Sequence, residues 1–256
     1  MTFDVAGEVY DRFMGRFSVR LAPLFADFAG VTADLRVLDV GCGPGALTTE
    51  LVRRVGAKRV AAVDPSPSFV AATRERLPEA DVREGTAEQL PFRDGEFDAA
   101  LSQLVVAFMQ DAAGGVADMC RVTRDRGVVA VTMWDSQGEM QLLQLVNGSA
   151  RAVAPDHPAV HGPRRYGSDG ELRELFEHAG LHDVETAPLD VEAGYDDFDD
   201  LWTSVAAGVG PIGDVMKDLD EEGIARFREE IRSRLGDPTG AFTLTGRAWA
   251  VRGTVG

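Results

Sequence analysis

The sequence predicts an α/β protein built on a doubly wound, mostly parallel sheet. Short apolar runs alternate with segments whose apolar residues recur at helical spacing. The first apolar run ends in a glycine-rich turn that opens a helix, and the second ends in an acidic residue. Because successive strand–helix–strand units cross over right-handedly, the carboxyl ends of the strands gather at one rim. Ligands of such sheets bind at that rim.

The predicted elements follow this alternation along the chain. Strands are predicted at residues 36–40, 59–64, 81–85, 97–103 and 128–134, with helices at 46–55, 66–77 and 112–124 between them. Residues 10–29 form an amphipathic segment before the first strand. Beyond the fifth strand, the pattern predicts helices at 140–153 and 169–179, strands at 184–191 and 241–251, and two or three helices across 198–235.

The turn at residues 41–45 and the acid that follows it predict a nucleoside-binding half-site. Glycine lets the backbone approach a ligand because no Cβ intervenes. Asp64 ends the second strand about 20 residues later, where a carboxylate can accept both ribose hydroxyls. The turn also fits a dinucleotide fingerprint, but Pro44 has no N–H for a pyrophosphate. Asp39, beside the turn, favours a cation. S-adenosylmethionine, which is cationic and lacks phosphate, fits both residues.

Four blocks of sequence resemble class I S-adenosylmethionine-dependent methyltransferases. They are residues 37–45 (VLDVGCGPG), 62–66 (AVDPS), 84–92 (EGTAEQLPF) and 97–102 (FDAALS). Their order and spacing are those of the family across residues 36–135, and the chain most resembles the small-molecule branch with the ubiquinone and menaquinone methyltransferases. The resemblance implies S-adenosylmethionine as cofactor. It also implies a seven-stranded, Rossmann-like sheet with an antiparallel last strand and helical cap insertions.

The cofactor-binding residues expected from the turn, the rim and this resemblance lie at strand ends and in the N-terminal segment. They are Tyr10, Arg16, Asp39, Gly41, Cys42, Gly43, Asp64, Pro65, Ser66, Thr86, Ala87, Glu88, Ser102 and Gln103. Tyr10 and Arg16 are expected to meet the cofactor carboxylate. Thr86 departs from the family pattern, which often has Asp there, so the adenine contact is left to its hydroxyl or to neighbouring backbone.

We expect residues 1–256 to form a single methyltransferase domain. Residues 36–135 are the predicted cofactor-binding core. Residues 1–35 are expected to form a helical lid; the alternative is that their aromatic side chains pack on the sheet. Residues 139–166 and 196–236 interrupt the strand–helix alternation, and we expect these cap insertions to shape the acceptor pocket. Their apolar residues include Leu142, Leu145, Trp202, Val205 and Ile212.

Few residues suggest a dedicated catalytic group. His157 and His161, in the loop after the fifth-strand helix, are candidate general bases. Gln103 follows the fourth strand, where the resembled family places residues near the transferred methyl group. No cluster of ligands with metal-binding spacing accompanies the histidines, so no metal is expected.

Charge and composition limit the partners. The formal net charge is −16, which argues against a nucleic-acid substrate because such binding depends on Lys and Arg. Residues 183–237 carry 16 acids and 5 bases, the pattern of a solvated face or of a surface that attracts a cation. The sequence has no apolar run of about 18 residues, no visible secretory signal, and only two cysteines. We therefore expect a cytoplasmic protein without membrane partners.

These observations favour S-adenosylmethionine-dependent methyl transfer to a small, largely apolar acceptor at an O, N or C atom. A protein that binds S-adenosylmethionine without methyl transfer, either a cyclase-like enzyme or a regulatory module, stays open because cofactor binding is encoded more plainly than chemistry. A nicotinamide oxidoreductase is disfavoured by Pro44.

Overall fold

A computed structural model describes residues 11–136, 138–162, 165–208 and 210–256. Within these residues, seven strands form one sheet in the order β3-β2-β1-β4-β5-β7-β6. The strands are β1 Val37–Val40, β2 Val60–Asp64, β3 Asp81–Glu84, β4 Phe97–Gln103, β5 Thr123–Trp134, β6 His182–Tyr195 and β7 Phe242–Thr254. The first five pair in parallel, and β7 is antiparallel to both β5 and β6. The predicted fold class, including the antiparallel last strand, is confirmed.

Helices cover both faces of the sheet and build the cap. They are α1 Arg16–Phe28, α2 Ala46–Val55, α3 Pro67–Arg76, α4 Ala112–Val122, α5 Gln141–Val153, α6 Asp169–His178, α7 Phe198–Ala206, α8 Pro211–Asp218 and α9 Glu221–Arg234. Side-chain caps start several of them: Ser66 accepts from the N–H of Phe69, and Ser168 from that of Glu171. The last three helices confirm the prediction of two or three helices between the final two strands.

The final strand pair is longer than the sequence pattern predicted. β6 continues four residues past Val191, and its last pair joins Tyr195 to Phe242. Val191, Ala193 and Tyr195 are buried while the residues between them are exposed, so the extension keeps the two-residue period of a strand. The rings of Tyr195 and Phe242 stack with centroids 5.4 Å apart. The longer strands carry the sheet into the cap.

The N-terminal segment divides into two parts. A π-helical turn, Asp11–Gly15, precedes α1. In α1, Phe17, Leu21 and Phe25 are fully buried in the core, which is the packing alternative considered for these aromatic residues. Pro23 lies inside the helix, which continues to Phe28. The described part of the expected lid that faces a cavity is the π-helical turn together with Ser18 of α1, and the lid itself stays a prediction. Residues 1–10, including Tyr10, lie outside the described residues.

The cap forms its own apolar cluster above the carboxyl ends of β5 and β6 and the amino end of β7. Helices α5, α7, α8 and α9 contribute Leu142, Val146, Leu201, Val205, Val215, Phe227 and Ile231, all buried. Trp134 at the end of β5 joins the same cluster and meets Phe17 edge-to-face at 6.0 Å. Across the described ranges, no helix is long and apolar enough to cross a bilayer.

Candidate functional site

A cavity of about 1360 Å³ opens at the rim where β1, β2, β4 and β5 end. Its described lining falls into two halves. The first half is formed by the glycine turn, residues 64–69, residues 85–88 and residues 103–110. The second half lies under the cap and is lined by Phe13, Met14, Met133, Trp134, Leu143, Asn147, His157, Val160, Arg165, Ile212 and Asp214, among others. The expected convergence of the strand ends on one pocket is thus present in the structure.

The glycine turn is held against β2 by backbone hydrogen bonds. The N–H groups of Gly41 and Cys42 both donate to the carbonyl of Val63, at 2.7 and 3.0 Å. A Cβ on Gly41 would lie 2.5 Å from the side chain of Val105, so this glycine is required by packing. Gly43 has a φ of +52°, and a Cβ there would meet no atom within 4 Å. Gly43 therefore leaves a space in the cavity that a side chain would fill.

Asp64 ties this turn to the end of β2. One carboxylate oxygen accepts from the N–H of Gly43 at 2.9 Å, and the other accepts from that of Ser66 at 2.8 Å. Burial raises the pKa of Asp64, and the two N–H donors partly oppose that rise. The side chain also lines the cavity. Its remaining lone pairs can accept ribose hydroxyls, so the same carboxylate shapes the turn and faces a ligand.

Asp39 is a buried carboxylate with one unpaired oxygen. Its Oδ2 accepts from the hydroxyl of Thr48 at 2.6 Å, whereas Oδ1 has no partner within the described part of the chain. Burial raises its pKa to about 7; Thr48 opposes the rise, and the charge of Asp64 adds to it. An unpaired carboxylate oxygen that lines a cavity fits a cationic group and repels a phosphate. This environment agrees with the cation expected from the sequence.

The loop after β3 is fastened to the segment after β4. Glu88 accepts from the N–H groups of Gln110 and Asp111, at 2.9 and 3.2 Å. Thr86, Ala87 and Glu88 all line the cavity, as do Pro65 and Ser66 from the β2 side. The structure therefore brings together these five predicted residues with the glycine turn. The carboxylate of Glu88 is already engaged by backbone, so it serves as a brace for the loop.

The two predicted residues at the end of β4 differ in role. Ser102 is fully buried, donates to the carbonyl of Val40 at 2.9 Å, and does not line the cavity. Its hydroxyl links two strands, in contrast to the expected cofactor contact. Gln103 does line the cavity; its amide nitrogen donates to the carbonyl of Ser18 at 3.2 Å, and its Oε1 is buried without a partner among residues that the structure describes.

Arg16 is placed elsewhere than the sequence suggested. Its guanidinium bonds both carboxylate oxygens of Asp200 and the carbonyl of Gly194, and it lies 4.8 Å from the ring centre of Tyr195. The pKa of Asp200 is lowered, mainly because of the Arg16 hydrogen bonds. Arg16 does not line the cavity. It links α1 to the cap through a partner 184 residues away, which no local pattern could reveal.

Neither candidate histidine offers a free base in this arrangement. His157 lines the cavity, but its Nδ1 accepts from the N–H of Ala159 at 3.2 Å. Its proton therefore lies on Nε2, which faces the carboxylate of Asp218 at 3.1 Å. His161 does not line the cavity and contacts the carbonyl of Pro155 through Nε2. In the described ranges, no group of three His, Cys, Asp or Glu side chains could hold a metal ion.

The cap residues named from the sequence divide between pocket and core. Ile212 lines the cavity as expected. Leu142 and Val205 are buried in the cap cluster, and Trp202 packs edge-to-face on Phe227 at 6.1 Å. The pocket side of the cap also includes Leu143 and Asn147, which were not singled out from the sequence. Helical spacing identifies an apolar face but does not say whether that face meets a core or a cavity.

Two further site residues were not identified from the sequence. Leu104, which lines the cavity directly after β4, has a φ of +66°, a conformation that a bulky residue rarely adopts. Thr48 lies in the first turn of α2, and its hydroxyl donates to the side-chain carboxylate of the buried Asp39. A hydroxyl nine residues after Asp39, at the start of the helix, is a pattern that could have been recognised.

Comparison with known proteins places this pocket in context. Residues 38–131 match the family described as “Methyltransferase domain”. An uncharacterised methyltransferase of Mycobacterium tuberculosis is 35% identical over 139 residues, 54% of each chain. A 2-methyl-6-phytyl-1,4-hydroquinone methyltransferase of Oryza sativa is 36% identical over 160 residues, 59% of this chain and 40% of that protein. The crystal structure of YcgJ from Bacillus subtilis shares the fold, with a TM-score of 0.59, 19% identity and coverage of 92% and 97% of the two chains.

The family match covers the part of the chain that carries the glycine turn and Asp64, but it does not reach the cap helices. Each aligned region spans about half, or less, of the relative's own length. The family match ends at residue 131, before α5 and the other cap helices begin. The YcgJ structure aligns with 92% of this chain, but at 19% identity this similarity shows only a shared fold.

Proposed function

We propose that this chain, whose residues 38–131 form a class I methyltransferase domain, transfers a methyl group from S-adenosylmethionine to a small, largely apolar acceptor. The observation that carries the proposal is the buried Asp39, whose Oδ1 lacks a partner among the described residues and lines the cavity. A cation without phosphate satisfies that oxygen. S-adenosylmethionine carries an ammonium and a sulfonium, whereas a dinucleotide would bring a pyrophosphate next to the carboxylate.

Different residues at the rim would contact different parts of the cofactor. Asp64 would accept the ribose hydroxyls, and the open face of Gly43 would admit the nucleoside close to the backbone. Asp39 and Gln103, on neighbouring parallel strands, offer unpaired oxygens to the ammonium group. The loop that contains Thr86 would border the adenine. Glu88 in this loop holds it against the segment after β4 by hydrogen bonds.

The cofactor supplies the reactivity, because a sulfonium methyl group is a strong electrophile. The protein has to align an acceptor with that methyl group and exclude water. The cap half of the cavity suits this task with side chains such as Phe13, Trp134 and Ile212. Since both nitrogens of His157 are engaged, the described residues favour an acceptor that does not need an imidazole base. The relative from Oryza sativa is named for a phytyl hydroquinone, which agrees with a largely apolar acceptor.

Two measurements test this proposal. Calorimetry should show micromolar binding of S-adenosylmethionine or S-adenosylhomocysteine and no comparable binding of NAD. Incubation with S-adenosylmethionine and a metabolite extract should then produce S-adenosylhomocysteine in an extract-dependent manner, and mass spectrometry should identify the methylated product. Tight NAD binding without S-adenosylmethionine binding would refute the cofactor assignment. Cofactor binding without turnover in any extract would support the alternative of a binding protein without methyl transfer.

A further inference from the structure

The side-chain amide of Asn147 lies at the acceptor half of the cavity without a hydrogen-bond partner among the described residues. This residue lies in the middle of α5 and lines the cavity together with Leu143, one turn earlier. No hydrogen bond to its side chain occurs within the described ranges, and the amide is not fully buried. Asn is a poor helix former, and an amide on a wall of apolar side chains lowers the hydrophobicity of the pocket. Helix stability therefore does not account for this residue.

The helix holds Asn147 in a fixed position. The neighbouring residues Val146 and Ala150 are fully buried in the cap cluster. On the other side, a Cβ on Gly148 would lie 3.0 Å from the guanidinium of Arg234, so α5 lies tightly against α9. A helix anchored on these sides holds the backbone of Asn147 at the cavity wall, so its short side chain stays within reach of the cavity. The polar group is thus presented at a defined place to whatever occupies the acceptor half.

Most of the charged side chains near this part of the cavity already have a hydrogen-bonded or oppositely charged partner. His157 is hydrogen-bonded to Asp218, and Asp214 lies 3.7 Å from Lys217. Arg165 also lines the cavity, but it is exposed to solvent, where water and salt screen its charge. A charged acceptor would gain little from the paired residues and would lose its hydration on entering an apolar pocket. An uncharged polar group loses less hydration free energy on entering the pocket. A hydroxyl can donate to the carbonyl oxygen of an amide or accept from its amino group.

We propose that Asn147 is a specificity-determining residue that hydrogen-bonds an uncharged hydroxyl group of the acceptor. The inference rests on the proposed function, because it assigns the cap half of the cavity to the acceptor. It narrows the acceptor class from an apolar molecule to an apolar molecule that carries a neutral hydroxyl. It also identifies a residue beyond the family match, which ends at residue 131.

The experiment compares small probes in matched variants. Binding of phenol, toluene, benzoate and benzylammonium is measured by calorimetry and ligand-observed NMR, with and without S-adenosylhomocysteine. The test variant is Asn147→Leu. The control is Gln144→Leu, the same amide-to-Leu change on an exposed position of α5 that does not line the cavity. Melting temperatures and S-adenosylhomocysteine affinity are recorded for both variants.

We expect Asn147→Leu to lower the preference for phenol over toluene about fivefold to tenfold, the scale of one neutral hydrogen bond. Gln144→Leu should leave that preference unchanged. The Asn147→Leu protein should melt no earlier than the parent, since Leu is the better helix former. A purely structural role of Asn147 would instead lower the melting temperature and spare the probe preference.

Three results would overturn the inference. The phenol preference could be the same in Asn147→Leu as in the parent. Benzoate or benzylammonium could bind the parent protein more tightly than phenol. The parent protein could also fail to bind phenol at millimolar concentrations. Failure of the proposed function is a separate result, because it would appear as absent S-adenosylhomocysteine binding, whatever the probes do.

Discussion

The replacement of Asp39 by asparagine should make the free protein more stable at neutral pH while it weakens cofactor binding. Asp39 is 1% exposed, and its pKa is raised from 3.8 to about 7, mainly because burial disfavours the charged form. In the Asp39→Asn variant, the hydroxyl of Thr48 can still donate to the oxygen of the new side-chain amide. The substitution therefore removes a charge from the interior and changes little else in shape.

The sign of the effect follows from proton binding. Between the unfolded pKa near 3.8 and the folded pKa near 7, the folded protein holds a proton that the unfolded chain has released. Its stability therefore falls as pH rises through this window and levels off above it. The slope is about 1.4 kcal/mol per pH unit. From pH 5.5 to 8.0, the parent protein should lose about 2 kcal/mol relative to Asp39→Asn, most of it below pH 7.

Urea unfolding without cofactor, followed by circular dichroism at half-unit steps from pH 5.5 to 8.0, measures this difference. Other titrating groups are common to both proteins and cancel. Asp190→Asn is the matched control: Arg247 lowers the pKa of Asp190, so that carboxyl does not titrate in this range. A difference between the parent and Asp39→Asn that stays flat across the range would refute the reasoning.

The same variant tests the cofactor assignment. A charge-assisted hydrogen bond is worth about 1.5–3 kcal/mol, so Asp39→Asn should bind S-adenosylmethionine roughly 10-fold to 150-fold more weakly at pH 8. In the parent protein, affinity should fall below pH 7 because the neutral carboxyl must ionise before it can meet a cation. Calorimetry at pH 6 and pH 8 measures both effects. Equal affinity of the parent and the variant would show that Asp39 does not face the cofactor.

Three further predictions follow from the site and the cap. Asp64→Ala should weaken S-adenosylhomocysteine binding by about 1.5–3 kcal/mol in calorimetry, because it removes the ribose acceptor and the brace of Gly43; an unchanged dissociation constant in a folded variant would remove Asp64 from the site. Gly43→Val should abolish binding, whereas Cys42→Ser should retain it, because only the first fills the open space and opposes a positive φ; equal binding by both would contradict this. Trp202→Ala should cost about 3–5 kcal/mol in urea unfolding and shift cofactor affinity less than threefold, since Trp202 packs in the cap; a stable variant with altered affinity would reverse that assignment.

The cofactor half could be predicted from the sequence because its determinants are local. The glycine turn, Asp39 and Asp64 lie within 26 residues of one another and at the ends of strands that pair side by side. Parallel topology alone then brings their side chains to one rim. Pro44 favours a cofactor without a pyrophosphate because it lacks an N–H group, which is also a local property. Spacing and strand order are enough wherever neighbours in sequence are neighbours in the sheet.

The cap could not be predicted to the same degree because its contacts join distant segments. Arg16 carries a guanidinium that could serve a ligand, and only the fold shows that Asp200 already engages it. Trp202 and Ile212 have the same apolar character in sequence, yet one packs on Phe227 and the other lines the cavity. Helical periodicity gives the apolar side of each helix. The arrangement of the helices around one another decides whether that side is core or pocket.

The buried polar atoms that lack partners in the described part of the chain give the strongest guide to function, but the free-energy cost of leaving each one unpaired differs. Buried hydroxyls such as those of Thr132 and Tyr195 also lack partners within the described chain. An unpaired neutral hydroxyl costs about 1–3 kcal/mol, which a stable fold can carry. A buried carboxylate costs far more unless it is neutralised or meets a cation. Asp39 is therefore the group whose environment changes most when a cationic ligand binds, and its pKa should fall in the complex. A carboxyl resonance of Asp39 that titrates near pH 7 in the free protein and stays ionised to lower pH with S-adenosylmethionine bound would establish that link directly.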